Sequence, residues 1–379
     1  MKNLKVESFG PIEKADVNFG DLTLLIGPQA SGKSIFLQLL KLILDKDYIV
    51  STLQQYNYIV SKSPKNILEI YFGEGMSNVW KNDSIVKLDG KSYTRGFLVG
   101  GSKSTTEKLF YIPAQRILSI SDGRPKNFME FDLTTPYVLR QFSELLRLYM
   151  QNGMGKNTAI FPLDHMLKSP QRKSFDKSIF HGGKIIMDEQ NGQKKLRMEI
   201  AGMSIPFMTW SAGQKEFMPF LLSIYCLIGP PTIVVKKETY KYVVIEEPEM
   251  GLHPQAIISV IVQILELLTR GYKVIISTHS PVFLEFAWAF NLLKQSGHKN
   301  TLHQLFDLNI DNKTKKIYED ILGNKTINTY YFSRNNKGVE VKNISSLDAN
   351  SSDEDISEWG GISAFASKTG DIVSKYIAD

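Results

Sequence analysis

The sequence has a single cysteine, no long apolar run and only a mild excess of one charge sign. Cys226 lies in the apolar stretch at residues 220–228. It cannot form an internal disulfide, and we expect it to be a small buried core residue. Because disulfides are rare in reducing compartments, this cysteine content favours a cytoplasmic protein.

The apolar segments are too short to cross a membrane. The longest uncharged stretch, residues 217–235, is broken by Gly229, Pro230 and Pro231. At most about 14 of its residues could form one helix, which would span roughly 21 Å of a ~30 Å hydrocarbon core. The charged residues that follow Met1 do not fit a signal peptide. We therefore expect no membrane contact. The sequence also lacks a sustained heptad run, so we expect no long coiled-coil arms.

The overall composition is that of a globular protein. The 379 residues are 42% hydrophobic and 22% charged, which fits one large domain or two smaller ones. The formal net charge of +6 permits contact with nucleic acid but does not by itself indicate it.

Residues 27–34 form the strongest motif, because they fit the phosphate-loop pattern GxxxxGK[ST] at every position. The apolar residues 22–26 precede the motif and the mostly apolar residues 35–44 follow it, which predicts a strand, a glycine-rich turn and a helix. In such a turn the backbone N–H groups cradle phosphates at a helix N-terminus. A chance glycine turn would not be expected between these flanks. The candidate nucleotide-binding residues are Gly27, Gln29, Ala30, Ser31, Gly32, Lys33 and Ser34.

Two side chains of this loop have distinct predicted roles. Lys33 would reach the β- and γ-phosphates of a nucleoside triphosphate, and the Ser34 hydroxyl would hold Mg²⁺.

A second motif follows the apolar residues 242–245, where Glu246 and Glu247 come at the carboxyl end of a predicted buried strand. Ligands bind at that end of parallel strands. We expect Glu246 to act near Mg²⁺, through a water, and Glu247 to orient or deprotonate the attacking water. Acidic residues also favour helix N-termini, so a solvated helix cap is the alternative.

Two further motifs complete the set. Residues 273–280 predict another buried strand, which ends in Ser-Thr-His and would bring His279 to the γ-phosphate; a lone histidine is more often structural. In residues 209–216, Ser211 is a good N-cap and Gly213 would let the backbone approach a ligand. A plain helix start would look much the same, so the order of the four motifs is the stronger signal.

The pattern of elements predicts an α/β domain with a mostly parallel sheet. We expect a strand at residues 66–72, a helix within 132–150 and a β-hairpin over 182–206 with its turn at Asn191 and Gly192. The last hundred residues are predicted to alternate short strands with polar turns.

Together these motifs resemble the ABC-type ATPases, in particular the branch that includes the SMC and RecF repair proteins and the OLD-type ATPases of bacterial phage defence. Residues 27–34 resemble Walker A, 243–247 Walker B and 249–253 the D-loop. The signature motif, usually Ser-Gly-Gly-Gln, is matched by Ser211, Ala212, Gly213 and Gln214, and the switch histidine by His279. In the stretch 111–116, Gln115 resembles the Q-loop glutamine, which would sense Mg²⁺ and water.

This resemblance covers roughly residues 1–290 and has three departures. Glu246 stands where aspartate is commoner, Ala212 replaces the first signature glycine, and Gln29 stands where asparagine is usual. None of these changes removes a group that the chemistry needs.

The resemblance implies a P-loop NTPase of ABC-ATPase type, with a mixed, mostly parallel sheet and a helical and β-hairpin insert between the Q-loop and the signature motif. It divides the chain into four parts. They are an N-terminal ATPase lobe at residues 1–116, the insert at 117–208, a C-terminal ATPase lobe at 209–290 and an α+β extension at 291–379.

The resemblance also implies that the chain binds and hydrolyses ATP with Mg²⁺. Two ATP molecules would be enclosed in a head-to-tail dimer or a higher oligomer, where Ser211 and the N–H groups near Gly213 contact the partner's γ-phosphate. No nuclease motif follows His279, so a partner effector would be a separate chain, in antiphage defence or DNA maintenance. Eight basic residues between Lys168 and Arg197 would bind DNA or form a solvated face.

Two other functions remain open at this point. One is a nucleotide-gated scaffold that binds ATP and hardly hydrolyses it. The other is the ATPase subunit of an ABC transporter, against which the long gap between Ser34 and Ser211 and the departures in the signature motif both count.

Overall fold

A computed structural model describes residues 1–60, 63–100, 106–154, 159–163, 166–190, 192–306 and 310–377. Its strands are β1 (Asn3–Phe9), β2 (Ile12–Asn18), β3 (Leu22–Ile26), β4 (Trp80–Leu88), β5 (Lys91–Tyr93), β6 (Leu109–Ile112), β7 (Ile120–Ser121), β8 (Arg124–Pro125), β9 (Ala159–Phe161), β10 (Lys184–Gln190), β11 (Gln193–Ile200), β12 (Met203–Pro206), β13 (Tyr242–Glu246), β14 (Lys273–Ser277), β15 (Ile327–Arg334) and β16 (Val339–Asn343). Its α-helices are α1 (Lys33–Gln55), α2 (Pro64–Phe72), α3 (Tyr137–Leu148), α4 (Ser169–Phe175), α5 (Ala212–Ile228), α6 (Pro254–Thr269), α7 (Pro281–Gln295), α8 (Asn312–Asn324), α9 (Glu354–Ser357) and α10 (Ala364–Ile377).

A ten-stranded sheet in the order β5-β4-β1-β2-β16-β15-β3-β14-β13-β6 forms the centre of the molecule. The five strands from β15 to β6 pair in parallel, and so do β16 and β2. The strands from β5 to β2 pair antiparallel. The predicted α/β fold with a mixed, mostly parallel sheet is therefore confirmed.

Both faces of the sheet are covered by apolar cores. On β3, Leu24 and Ile26 point into one core, whereas Leu25 points into the other, because successive side chains of a strand face opposite sides. β13 and β14 show the same alternation. The first core includes side chains of α5, α6 and α7, and the second includes those of α1 and α2. Burial on both faces explains why these strands read as continuous apolar runs.

The predicted insert is a second layer of structure on the α5 face. Strands β12, β11, β10 and β9 form a four-stranded antiparallel sheet, and the insert also contains α3 and α4. The ring of Phe217 on α5 lies 4.8 Å from that of Phe175 and 5.8 Å from that of Phe180. The insert therefore shares its core with α5. Asn191 of the predicted turn lies outside the described residues.

Residues 66–72 are helical, so the strand predicted there is wrong. They belong to α2, which begins at Pro64, a residue suited to the first helical turn. The helix buries Ile67, Leu68, Tyr71 and Phe72. These residues recur with the three- and four-residue spacing of one helix face, which a short apolar run does not distinguish from a strand.

The last hundred residues also differ from the prediction, because α7, α8 and α10 account for much of this segment. Its two strands in the main sheet, β15 and β16, lie between β2 and β3. Two strands of the segment predicted as an α+β extension, residues 291–379, therefore belong to the central sheet. Within the described part of the chain, no helix is both long and apolar enough to span a bilayer.

Candidate nucleotide-binding site

The phosphate loop runs from β3 to α1, and close contacts require its glycines. Gly27 has a φ of 147°, and a Cβ there would lie 2.7 Å from the Phe332 carbonyl oxygen. Gly32 has a φ of 86°, and its Cβ would lie 2.9 Å from Cγ of Pro11. L side chains rarely adopt such φ values. The path of the loop is thus fixed by β15 on one side and by the turn after β1 on the other.

The loop ends at the uncapped N-terminus of α1. Gly32 is the N-cap residue, no side chain caps the helix, and the first turn carries no acidic residue. The first backbone N–H groups of a helix have no partner within it and favour an anion. At the tip of the loop, Gln29 and Ala30 are exposed, and Ala30 has a φ of 57°. The arrangement suits a bound phosphate group.

Lys33 is folded back onto its own loop. Its Nζ donates to the carbonyl oxygens of Gly27 at 2.8 Å and Pro28 at 2.9 Å, and to Oγ of Ser31 at 3.3 Å. Burial lowers the pKa of Lys33 to about 8, although nearby carboxylates, Glu247 first among them, oppose the shift. The ammonium group is therefore held in place by acceptors that phosphate oxygens could replace.

Ser34 and Glu246 form the candidate magnesium site. Glu246, at the end of β13, is buried, and its Oε2 accepts the Ala114 N–H at 3.4 Å. Burial raises the pKa of Glu246, and the nearby hydroxyls of Ser34 and Tyr111 oppose that rise. Oε1 of Glu246 is buried without a hydrogen-bond partner among the described residues. An unpartnered carboxylate oxygen beside a hydroxyl fits Mg²⁺, which prefers oxygen ligands.

Glu247 and His279 come together at the ends of β13 and β14. Oε1 of Glu247 lies 3.8 Å from Nε2 of His279, and both side chains are about one-third exposed. The pKa of His279 is lowered by burial and by the charge of Lys33. The imidazole is therefore neutral near pH 7 and can accept or donate one hydrogen bond.

Glu249 joins the segment after β13 to the segment after β14. Its Oε1 accepts the Thr278 hydroxyl at 2.8 Å and the backbone N–H of His279 at 2.6 Å. Burial raises the pKa of Glu249. The sequence marked this residue only as the start of a D-loop-like stretch, whereas the structure gives it a direct contact with the switch-histidine segment.

Gln115 is exposed in the turn after β6, and its neighbour Ala114 contacts Glu246. The structure thus places the Q-loop-like stretch beside the candidate magnesium site.

The residue that the sequence reasoning missed is Arg116, which is only 1% exposed. Its Nη1 donates to the Glu246 carbonyl at 2.6 Å, and its Nη2 donates to the Glu247 carbonyl at 3.0 Å. Contacts to backbone carbonyls leave no signal in a single sequence.

The signature-like residues lie at the start of α5. Ser211 and Gln214 form a reciprocal cap, with Gln214 N–H donating to Oγ at 3.3 Å and Ser211 N–H donating to Oε1 at 3.2 Å. Ser211 and Ala212 are exposed. A Cβ on Gly213 would lie 2.5 Å from the Gly251 carbonyl oxygen, so this glycine is required by packing inside the chain. Among the described residues, no hydrogen bond or ion pair joins residues 211–214 to the phosphate loop.

Two family models match the sequence. One, described as "AAA ATPase domain", matches residues 1–122. The other, described as "AAA domain, putative AbiEii toxin, Type IV TA system", matches residues 106–285. The two matched ranges together contain every motif residue named above. A search of the curated proteins found no match.

Similar solved structures include SMC head domains. The SMC head domain from Thermotoga maritima is 10% identical, with 90% of this chain and 98% of that chain covered and a TM-score of 0.38. An SMC head bound to the C-winged helix domain of ScpA is 12% identical, with 90% and 96% covered and a TM-score of 0.41. An SMC head with an extended coiled coil, bound to the C-terminal domain of ScpA derived from Pyrococcus furiosus, is 11% identical, with 90% and 95% covered and a TM-score of 0.41. These values are too low to transfer a function.

Proposed function

We propose that this chain, which AAA-family models match over residues 1–122 and 106–285, hydrolyses ATP with Mg²⁺ in a site shared between two copies. The observation that carries this proposal is the convergence of Lys33, Glu246, Glu247 and His279 at the carboxyl ends of β3, β13 and β14. Ligands of open α/β sheets bind at this edge. The SMC, RecF and OLD-like branch is the one whose motif order this chain follows.

Each residue has a defined task in this proposal. Lys33 and the N–H groups of the loop bind the β- and γ-phosphates. Ser34 and Glu246 would hold Mg²⁺, with Gln115 beside them, and the ion supplies charge neutralisation on the phosphate oxygens when bound.

Glu247 is the general base of the proposed reaction. Its carboxylate accepts a proton from a water whose oxygen forms a bond to the γ-phosphorus, while the bond from that phosphorus to the bridging oxygen breaks and ADP leaves. His279 would hydrogen-bond the γ-phosphate.

The proposal of a shared site is supported by the position of Ser211, Ala212, Gly213 and Gln214. These residues sit at an exposed helix N-terminus that makes no hydrogen bond with the phosphate loop of the same chain. Such a terminus favours an anion, and a second copy in head-to-tail orientation would supply one in its ATP. Loss of the γ-phosphate would then separate the two copies.

We further propose that this cycle controls a separately encoded effector, in antiphage defence. The mention of a toxin and a toxin–antitoxin system in one matched family description supports this class. Within the described ranges, no group of three or more His, Cys, Asp or Glu side chains could hold a metal ion.

DNA is a further proposed partner. Of the eight basic residues between Lys168 and Arg197, Lys168, Lys195 and Arg197 pair with acidic side chains, whereas Lys173, Lys177, Lys184 and Lys194 are exposed. If these lysines bind the phosphate backbone, affinity for duplex DNA should fall steeply between low and moderate salt. Binding that is insensitive to salt in a filter assay would rule this contact out.

Phosphate release by the wild type and by Glu247→Gln tests the enzymatic proposal. The wild type should hydrolyse ATP, and the variant should lose about a hundredfold or more in kcat while it still binds ATP, because only the base is removed. Glu238→Gln is the matched control. Glu238 is an exposed acid that precedes β13, so it lies at the other end of that strand from Glu247. Undiminished turnover in Glu247→Gln would contradict the assignment of the base.

The same measurement addresses the two alternatives. A nucleotide-gated scaffold predicts ATP binding with negligible turnover in the wild type, with or without DNA. A transporter subunit predicts co-purification with a membrane protein.

A further inference from the structure

Arg116 occupies a central position that the proposed reaction does not yet use. Its Nη1 donates to the carbonyl oxygens of Pro113 at 3.2 Å and Glu246 at 2.6 Å. Its Nη2 donates to the Glu247 carbonyl at 3.0 Å, and its Nε to the Glu216 carbonyl at 3.4 Å. One side chain therefore ties together the turn after β6, the end of β13 and the start of α5.

The chemistry of these contacts is specific to arginine. A guanidinium carries five N–H donors in a rigid planar fork, whereas an ammonium is a flexible point charge with three donors. Burying a charge is costly unless other groups compensate. Burial lowers the pKa of Arg116, and the carboxylates of Glu216, Glu249, Glu246 and Glu247 oppose the shift. The guanidinium is thus kept charged while it donates to backbone carbonyls.

Glu247 needs such support because its backbone is strained. It has a φ of 42°, in the left-handed region that residues with a side chain rarely adopt. Its N–H donates to the Ser277 carbonyl at 2.8 Å, and its carbonyl accepts from Arg116 at 3.0 Å and from the Met250 N–H at 3.1 Å. The peptide groups on both sides of the Glu247 side chain are therefore fixed, one by β14 and the other by Arg116 together with the Met250 N–H. Strained residues at functional sites persist only where the surroundings hold them.

We propose that Arg116 is the positioning residue for the general base, holding the Glu247 carboxylate beside His279 and linking it to the start of α5. This inference rests on the proposed function, because it takes Glu247 to be the base. The link through Glu216 is the second half of the inference. A displacement of α5, the helix that begins beside Ser211, is transmitted through Arg116 to the peptide groups that carry Glu246 and Glu247.

Arg116→Lys and Arg116→Gln test the inference by steady-state kinetics. Because a displacement of about 1 Å can cost about a hundredfold in rate, we expect a fall of that size in kcat. The KM and the affinity for ATP should stay within about twofold, because the phosphate-binding groups of the loop are untouched. In a Glu247→Gln background, Arg116→Lys should reduce the residual rate no further, which a purely structural role would not predict.

Arg140→Lys provides the matched control. Arg140 is also fully buried, and it donates to the backbone carbonyl of Ile70, on α2 and away from β13. This variant should lower the melting temperature while leaving kcat within about twofold, since it disturbs only packing remote from the site. The comparison separates a general loss of a buried arginine from loss of this particular one.

Three results would overturn the inference. The first is a kcat near the wild-type value in both Arg116 variants, the second is a parallel loss of ATP binding, and the third is failure of both to fold while Arg140→Lys folds. A wild-type chain without turnover would instead refute the proposed function. If the wild type hydrolyses ATP, Glu247→Gln is inactive and both Arg116 variants stay active, only the positioning role is refuted.

Discussion

Lys33 is the residue whose ionisation should most directly affect nucleotide binding. Its ammonium group donates to three acceptors of its own loop, and burial brings its pKa to about 8. The residue type and position were predicted by the phosphate-loop pattern. The loop contacts and the lowered pKa were not, because they depend on how deeply the loop is packed against β15.

The affinity for ADP, measured in EDTA, should fall as pH rises from 7 to 9. Below about pH 8 Lys33 is protonated in the free protein, and bound phosphates favour that form, so the pKa of the complex lies above that of the free protein. The affinity for ADP is therefore full below pH 8 and declines above it, and the decline approaches about tenfold per pH unit. In Lys33→Arg, which stays protonated, the dependence should largely vanish. Isothermal titration calorimetry measures it, and a wild-type affinity that is flat from pH 7 to 9 would refute this account of Lys33.

At the scale of the element, the start of α5 is packed against the turn after β13 by two glycines. The Gly251 φ of 71° and the approach of its carbonyl oxygen to Gly213 leave no room for a methyl group. The sequence offered Gly213 as a place where backbone approaches a ligand. The structure gives it a packing role within the chain, because its backbone lies against Gly251 of the D-loop-like segment, residues 249–253.

Gly213→Ala should therefore destabilise the fold and shift the start of α5. A Cβ 2.5 Å from the Gly251 carbonyl oxygen forces one of the two segments to move, and such overpacking costs about 1–3 kcal/mol. Urea unfolding measures the loss. Gly323→Ala, in α8 with nothing within 4 Å of the added methyl, serves as control and should be neutral or slightly stabilising. Equal unfolding midpoints for the two variants would contradict the packing role.

The elements that carry the motifs could be predicted from the sequence, and those that complete the sheet could not. β3, β13 and β14 are short apolar runs that end in chemically distinctive residues. α2 was mistaken for a strand because its short apolar run fits both periodicities. β15 and β16 enter the sheet between β2 and β3, a pairing set by contacts more than three hundred residues apart, which local pattern does not reveal.

At the scale of the whole molecule, one chain brings together half of the proposed site. The phosphate loop, Glu246, Glu247 and His279 meet at one edge of the sheet, whereas residues 211–214 make no hydrogen bond with that loop. The motif order predicted both halves. The central claim of the proposed function is that the two halves of one complete site come from two copies of the chain. ATP-dependent association of the chain is the direct consequence.

Sedimentation of the Glu247→Gln chain, with and without ATP and Mg²⁺, measures that association. We predict a monomer without nucleotide or with ADP, and a dimer with ATP, because the unhydrolysed γ-phosphate bridges the copies. Adding Ser211→Arg should keep the chain monomeric although it still binds ATP, since only the contact to the partner's nucleotide is blocked. A Glu247→Gln chain that stays monomeric when saturated with ATP would contradict the shared site, as would a dimer that Ser211→Arg leaves intact.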